Sequence, residues 1–265
     1  MAAYSHPPVT RPEPVRLPPG SRIALGVAVS LVAILAVSPL ASAAYTLGVS
    51  PPYPGVEPVL YTVISTTGCH SRGDFPLAPR VNATSGAVHE RLSASSRYCA
   101  GGTVAPDLAS VSSFPGFYGP NFTVPAAGSY TATFRWVFSY NASLNASGPV
   151  NTGSLTSSAS AIVSIFALGY LYDSTNSTIL TGTGGDAFAL FHEIHEGSWS
   201  GGAVRQVVVL TSTFALVTGH VYYFETVLTT SAEGITYEGG LASASLDLGT
   251  HGDHARLVGL RLSGG

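Results

Sequence analysis

The sequence predicts an all-β fold, a jelly-roll-like sandwich of two antiparallel sheets preceded by an N-terminal signal or anchor helix. Two observations carry this. Beyond the N-terminus, apolar and polar residues alternate with a period of two over long runs, as half-buried strands require. Turns rich in Gly, Ser, Asn and Pro separate those runs, and no window sustains a helical period. Strands without intervening helices close into a sandwich or barrel, and long strands in the second half favour the two-sheet form.

The elements follow in order. Residues 1–22 are Pro-rich and carry Arg11, Arg16 and Arg22 against Glu13; an uncharged apolar run extends from Ile23 to Val37. Ala41-Ser42-Ala43 then offers a small-x-small cleavage site before Ala44. This is the layout of a secretory signal. The uncharged stretch from Ile23 to Val49 is also long enough to stay as an anchor. Residues 1–43 are therefore expected to be a signal peptide or signal-anchor, and 44–265 a single extracytoplasmic domain, secreted or attached to the cell surface. Arginines ahead of the span keep the N-terminus inside in either case.

Within the domain, Val59 to Ser65 and Ala87 to Ser93 read as strands, and the Pro- and Gly-rich region around them as the start of the same sandwich. Ser129 to Asn141 is the clearest strand. Tyr130, Ala132, Phe134, Trp136, Phe138 and Tyr140 form one face, and Thr131, Thr133, Arg135 and Ser139 the other. Ser158 to Asp173 is apolar on both faces, as in a strand buried on both sides. Val204 to Thr218 and Val221 to Ser231 flank Thr218-Gly219-His220, a hairpin-like connection. In the second of these, Tyr223, Glu225 and Thr229 share a face. Leu241 to Leu248 and Ala255 to Leu262 complete the set.

Composition narrows function. All 11 basic residues are Arg, so a P-loop lysine, a Schiff-base lysine and a Ser-x-x-Lys acylase are excluded. A net charge of −3 with so few basic residues argues against nucleic acid as a partner. Charged residues make up only 9%, and Ser plus Thr number 57, so the surface is built from hydroxyls rather than charges. Cys69 and Cys99 are the 2 cysteines, and an even pair in an exported chain reads as a disulfide. Its loop of about 30 residues would contribute roughly 3–4 kcal/mol by chain entropy. Asn82, Asn121, Asn141, Asn145 and Asn176 each begin an Asn-x-Ser/Thr sequon, the pattern of a glycoprotein.

Thr218-Gly219-His220-Val221-Tyr222-Tyr223-Phe224, Ala242-Ser243-Ala244-Ser245-Leu246-Asp247 and Ala255-Arg256-Leu257-Val258-Gly259-Leu260 have a common cadence. It resembles the last strands of uncharacterised secreted β-sandwich proteins of bacterial and archaeal surfaces, among them the PEP-CTERM-type exported proteins, without their sorting tail. The resemblance implies surface exposure and a sandwich. It carries no functional residues.

Candidate chemistry is sparse. His192 and His195, with Glu193 and Glu196, form one His-x-x-His pair, and His251 and His254 form another around Asp253. These are the metal-ligating candidates, provided that turns bring them together, because i and i+3 face opposite ways in a strand. The Glu193/Glu196 spacing departs from that of jelly-roll glycoside hydrolases. Gly197-Ser198-Trp199-Ser200-Gly201 lacks the serine-hydrolase elbow, and Gly182 to Ala187 reads as a Gly-rich turn. Loop aromatics are the sugar-stacking candidates, chiefly Trp199 and Tyr237, with Tyr53, Tyr61, Phe117 and Tyr118 behind them. No catalytic residue and no cofactor is expected. The expectation is a non-catalytic surface protein with a structural, adhesive or partner-binding role, its partner a cell-envelope component or a glycan. The membrane enters only through an uncleaved N-terminus. A carbohydrate-binding module is the first alternative, and a His-based metal-binding protein the second.

Overall fold

A sheet with one apolar face must bury it, and a second such sheet is the simplest cover. A computed structural model describes residues 44–65, 70–98, 107–148, 159–180, 182–184, 186–236, 240–249, 252 and 254–265. The signal or anchor at 1–43, the cysteines Cys69 and Cys99, and the candidates Tyr237 and His251 lie outside the described residues. Among the described residues, no helix is long and apolar enough to cross a membrane.

The described strands are β1 (Tyr45–Val49), β2 (Gly55–Val56), β3 (Leu60–Ser65), β4 (Arg72–Asn82), β5 (Ala87–Arg97), β6 (Asp107–Phe114), β7 (Gly116–Phe122), β8 (Gly128–Ser147), β9 (Ala159–Asp173), β10 (Thr178–Leu180), β11 (Thr183–Gly184), β12 (Asp186–Ile194), β13 (Gly197–Leu216), β14 (Tyr222–Thr236), β15 (Leu241–Asp247) and β16 (His254–Gly264). They form two antiparallel sheets of eight strands each, packed as a sandwich.

Sheet A is built on β8. Along one edge β8 pairs with β13 over nearly its whole length; along the other it pairs first with β16 and then with β15. Thus β15 and β16 lie end to end, with β5 beside β15 and β1 beside the far end of β16. Strand β4 forms the outer edge against β5. Sheet B is built on β14, which pairs with β9 on one side and with β7 and β6, also end to end, on the other. Strands β2 and β3 lie outside β7 and β6; β10 and β12 lie outside β9.

The aromatic face of β8 is the centre of the core: Tyr130, Phe134, Trp136 and Phe138 are fully buried. They meet the inner face of β14 and β9. Phe134 packs edge-on against Phe224, and Trp136 Nε1 donates to Thr226 Oγ1 at 3.3 Å. Close approach is enforced at Gly169, where a Cβ would lie 2.5 Å from the Phe134 ring. Any side chain there would push the sheets apart.

Several expectations are corrected. Thr218-Gly219-His220 is a tight turn, with Gly219 at φ +84°, but β13 and β14 belong to different sheets. Each is already paired along its length, β13 with β8 and β14 with β9, so the turn crosses the sandwich instead of closing a hairpin. The Tyr222 hydroxyl fixes this crossing by accepting from Val217 N and donating to Val217 O. The outer face of β9 is only half-buried, not sealed like its inner face. Gly182 to Ala187 holds the short β11 and the start of β12. Strands β4 and β7 were not legible because Pro76, Pro79 and Pro120 interrupt their patterns, and β6 because its apolar residues Leu108, Ala109, Val111 and Phe114 do not alternate; β4 tolerates its prolines as an edge strand.

Candidate functional site

The two sheets present unlike outer faces. On sheet B, register sets Glu225 of β14 between Tyr118 of β7 and Tyr170 of β9, and Tyr223 beside Tyr172. The rings associate: Tyr172 and Tyr223 lie 4.9 Å apart, and Tyr118 meets Tyr223 edge-on at 5.7 Å. Glu57, just after β2, is held there by its backbone N–H on Gly116 O. Gly116 leaves room for it, since a Cβ would sit 3.0 Å from the Glu57 carboxylate.

The Glu57 and Glu225 carboxyls hydrogen-bond to each other. Partial burial, then this bond and the Glu57 charge, push the Glu225 carboxyl up to about 7. Burial and a bond to Glu57 push the Tyr118 hydroxyl up to about 12. Burial and the charge of Glu225 also raise Tyr170 and Tyr223. Two carboxyls in mutual contact leave no room for a sugar between them, whereas a retaining glycosidase holds its pair about 5 Å apart. What the arrangement offers is ring surface and carboxyl oxygens on an open sheet. The aromatic surface continues through Phe166 to the exposed Phe188 and Phe191, whose rings also pack together.

The sequence had placed Tyr223 and Glu225 on one strand face and Tyr118 among the loop aromatics. Glu57 was missed, because it lies 168 positions from Glu225 and only sheet pairing brings them together. Two other loop candidates, Tyr53 and Phe117, are core residues; the Tyr53 hydroxyl donates to Leu257 O at 3.1 Å. Tyr61 remains exposed and packs against Phe75, closing one side of the sandwich.

The histidine candidates do not share one location among the described residues. His192 lies in β12 and stacks at 4.0 Å on Trp199 of β13, where the chain turns from sheet B into sheet A. Trp199 is half-buried there, folded back over Gly201, so its ring is a corner contact between the sheets. His195 is in the turn, with Nε2 3.5 Å from Glu193 Oε1. His254 instead opens β16, where its ring lies 5.6 Å from His89 and its Nδ1 donates to Gly252 O. Among the described residues, no three His, Cys, Asp or Glu side chains come together with metal-binding spacing.

On sheet A, Ser93, Ser95, Ser143, Ser243 and Ser245 line a shallow groove ending at Arg72. The pairing aligns them in rows, Ser93-Ser245-Ser143 and Ser95-Ser243-Asn145, and Ser143 and Ser245 share a hydrogen bond of 2.8 Å. Two sequons, Asn141 and Asn145, therefore stand on the open face of β8. Asn121 is exposed in β7, and Asn82 and Asn176 sit at turns. Asn82 Oδ1 caps its turn by accepting from the N–H groups of Thr84 and Ser85. Asn176 donates to Asp173, which His220 also meets at 2.7 Å, locking this turn to the β13–β14 crossing.

One ionisable group lies inside. Glu90 of β5 is fully buried, bonded by the hydroxyls of Ser113 and Thr230 from sheet B. Burial outweighs those bonds and raises its pKa, and the two hydroxyls tie it to the opposite sheet. Sealed from solvent, it is a structural link.

No family model and no curated protein matches the chain. Among solved structures it is similar to the isomalto-dextranase of Arthrobacter globiformis T6, complexed with panose, at 10% identity and a TM-score of 0.19. The match covers 83% of this chain and 34% of that one, so the chain spans about a third of that structure's length.

Proposed function

We propose that this chain is a non-catalytic, extracytoplasmic surface protein that binds a partner through the outer face of sheet B. The observation that carries the reading is the open tray of Tyr118, Tyr170, Tyr172 and Tyr223 around the Glu57–Glu225 pair. Aromatic rings offer large contact area at low entropic cost, and carboxyls at their centre add directional bonds. Export is supported by the arginine-flanked apolar run and the small-x-small site near the N-terminus. A non-catalytic role is supported by the placement of the acids. Glu90 is sealed, and Glu57 and Glu225 bond each other on a flat face.

The same tray favours sugars as the partner class, since pyranose rings stack on tyrosine and their hydroxyls donate to carboxylates. The test is binding of the full chain to a glycan array and to an envelope fraction. Tyr118→Ala and Tyr223→Ala are each expected to lower binding at least tenfold. Undiminished binding by both variants would sink the tray as the binding surface.

A further inference from the structure

Charge is divided between the sheets. All eight described arginines, Arg72, Arg80, Arg91, Arg97, Arg135, Arg205, Arg256 and Arg261, lie in strands of sheet A. Sheet B strands hold none, and instead carry Asp107, Asp186, Glu193, Glu225 and Glu233 at least partly exposed, with Asp173 buried against His220. Only Asp74, Asp247 and the buried Glu90 place acids in sheet A strands. A chain with a basic sheet on one side and an acidic, aromatic sheet on the other is complementary to itself.

The half of sheet A where β8 meets β16 makes the match specific. Arg135, Arg256 and Arg261 are exposed there, and register places Arg135 beside Val209 and Arg256 and Val207 beside Val137. Val207 and Val209 are 49% and 51% exposed, unusual for a strand centre. Among the described residues, neither Arg135 nor Arg261 has a carboxylate partner. Guanidinium groups set in aliphatic surface suit a partner of tyrosine and phenylalanine rings interspersed with carboxylates, through ion pairing and cation–π contact. The other sheet of the same protein is such a surface.

We propose that copies of this chain stack head to tail, the Arg135–Val209 patch of one sheet A lying on the tyrosine–glutamate face of the next copy's sheet B. This rests on the partner-binding reading above and names a partner, a second copy. The contact is heterologous, since it joins two different faces, so each added copy exposes the same two faces again and the assembly stays open. The half-face measures four strand rows by about ten residues, on the order of 600 Å², at the low end of specific interfaces. Association is therefore expected at high local concentration, as on a crowded surface. Asn141 lies about 20 Å along β8 from Arg135, so a glycan there flanks the patch and leaves it open.

The experiment is sedimentation velocity on the full chain, in non-ionic detergent so that the apolar N-terminal run cannot itself associate. The wild type should show a concentration-dependent ladder at low salt that collapses to monomer at about 1 M NaCl, where screening reaches about 3 Å. Two variants test the polarity: Arg135→Glu with Arg261→Glu on sheet A, and Phe188→Arg with Phe191→Arg on sheet B. Each alone should be monomeric with a wild-type circular dichroism spectrum. Mixed, they should form a one-to-one dimer that grows no further, because one intact A face meets one intact B face. A wild type that stays monomeric throughout, or a sheet A variant that still associates alone, overturns the stack. Either result leaves foreign-partner binding to be decided by the Tyr118 and Tyr223 variants.

Discussion

The two outer faces of the sandwich have the same backbone and opposite chemistry. Sheet A shows rows of serine and asparagine with arginines among them; sheet B shows tyrosine, phenylalanine and carboxyls. A solvated antiparallel face is expected to be polar, and sheet A largely is. Phe188 and Phe191, each 60% exposed, depart from that rule on sheet B. Large exposed aromatics mark a surface that meets something other than water. The difference teaches that one core can carry two outer faces of unlike chemistry, because outward-facing residues are free of the packing that fixes the inward ones.

That contrast depends on both sheets standing on one core, which can be broken first. Trp136→Ala removes a fully buried ring and its bond to Thr226 across the sandwich. It is expected to cost about 3–5 kcal/mol in denaturant unfolding, with both faces lost in a single transition. A change below about 1 kcal/mol would mean that the sheets do not depend on this contact.

Next is the polar link. Glu90→Ala strips the Ser113 and Thr230 hydroxyls of their acceptor and should cost about 1–3 kcal/mol, while Glu90→Gln should retain most of the stability. The folded state raises this carboxyl above its ordinary 4.5, so it binds the proton more tightly than the unfolded chain does. Its contribution is full below that value and is lost as pH rises through the folded pKa. A wild-type stability profile that rises instead over that range, with Glu90→Gln unchanged, would contradict the assignment.

Sheet B should show its own, smaller pH response. Glu225, raised from 4.5 to about 7, contributes stability below pH 4.5 that fades as pH climbs through 7. Glu225→Gln is expected to flatten that part of the thermal-melting profile, and Asp247→Asn on sheet A to leave it in place. Equal effects from both would erase the distinction between the faces.

The smallest effect belongs to sheet A. Arg91→Ala breaks a partly exposed pair with Asp247, at 2.9 Å, and should cost about 0.2–1 kcal/mol, less still at high salt. A loss several times larger would give that ion pair a structural weight that surface pairs rarely have.

Much of the sandwich was legible because alternation is local. Tyr130 to Tyr140, Tyr222 to Leu228 and Ala242 to Leu248 each announce a buried face in their own sequence. Where prolines interrupt the pattern, as at Pro76, Pro79 and Pro120, the signal vanished although the strands formed. The tray was half legible: Tyr223 and Glu225 share a face by period alone, but Glu57 reaches them only through the pairing of β2 with β7. The histidine pairs were legible as spacing, yet His192 faces Trp199 and His254 faces His89, contacts set by strand neighbours distant in sequence.

The sequence by itself determined that the domain after residue 43 is all β, which residues of its alternating strands turn inward, and that lysine chemistry is closed to it. Only the tertiary structure decided which strands share a sheet, and so that every described arginine falls on one side and the tyrosine–glutamate tray on the other. The reason is physical. Period two assigns a residue to a face of its own strand, whereas the sheet that strand joins is fixed by hydrogen-bonded partners tens of residues away.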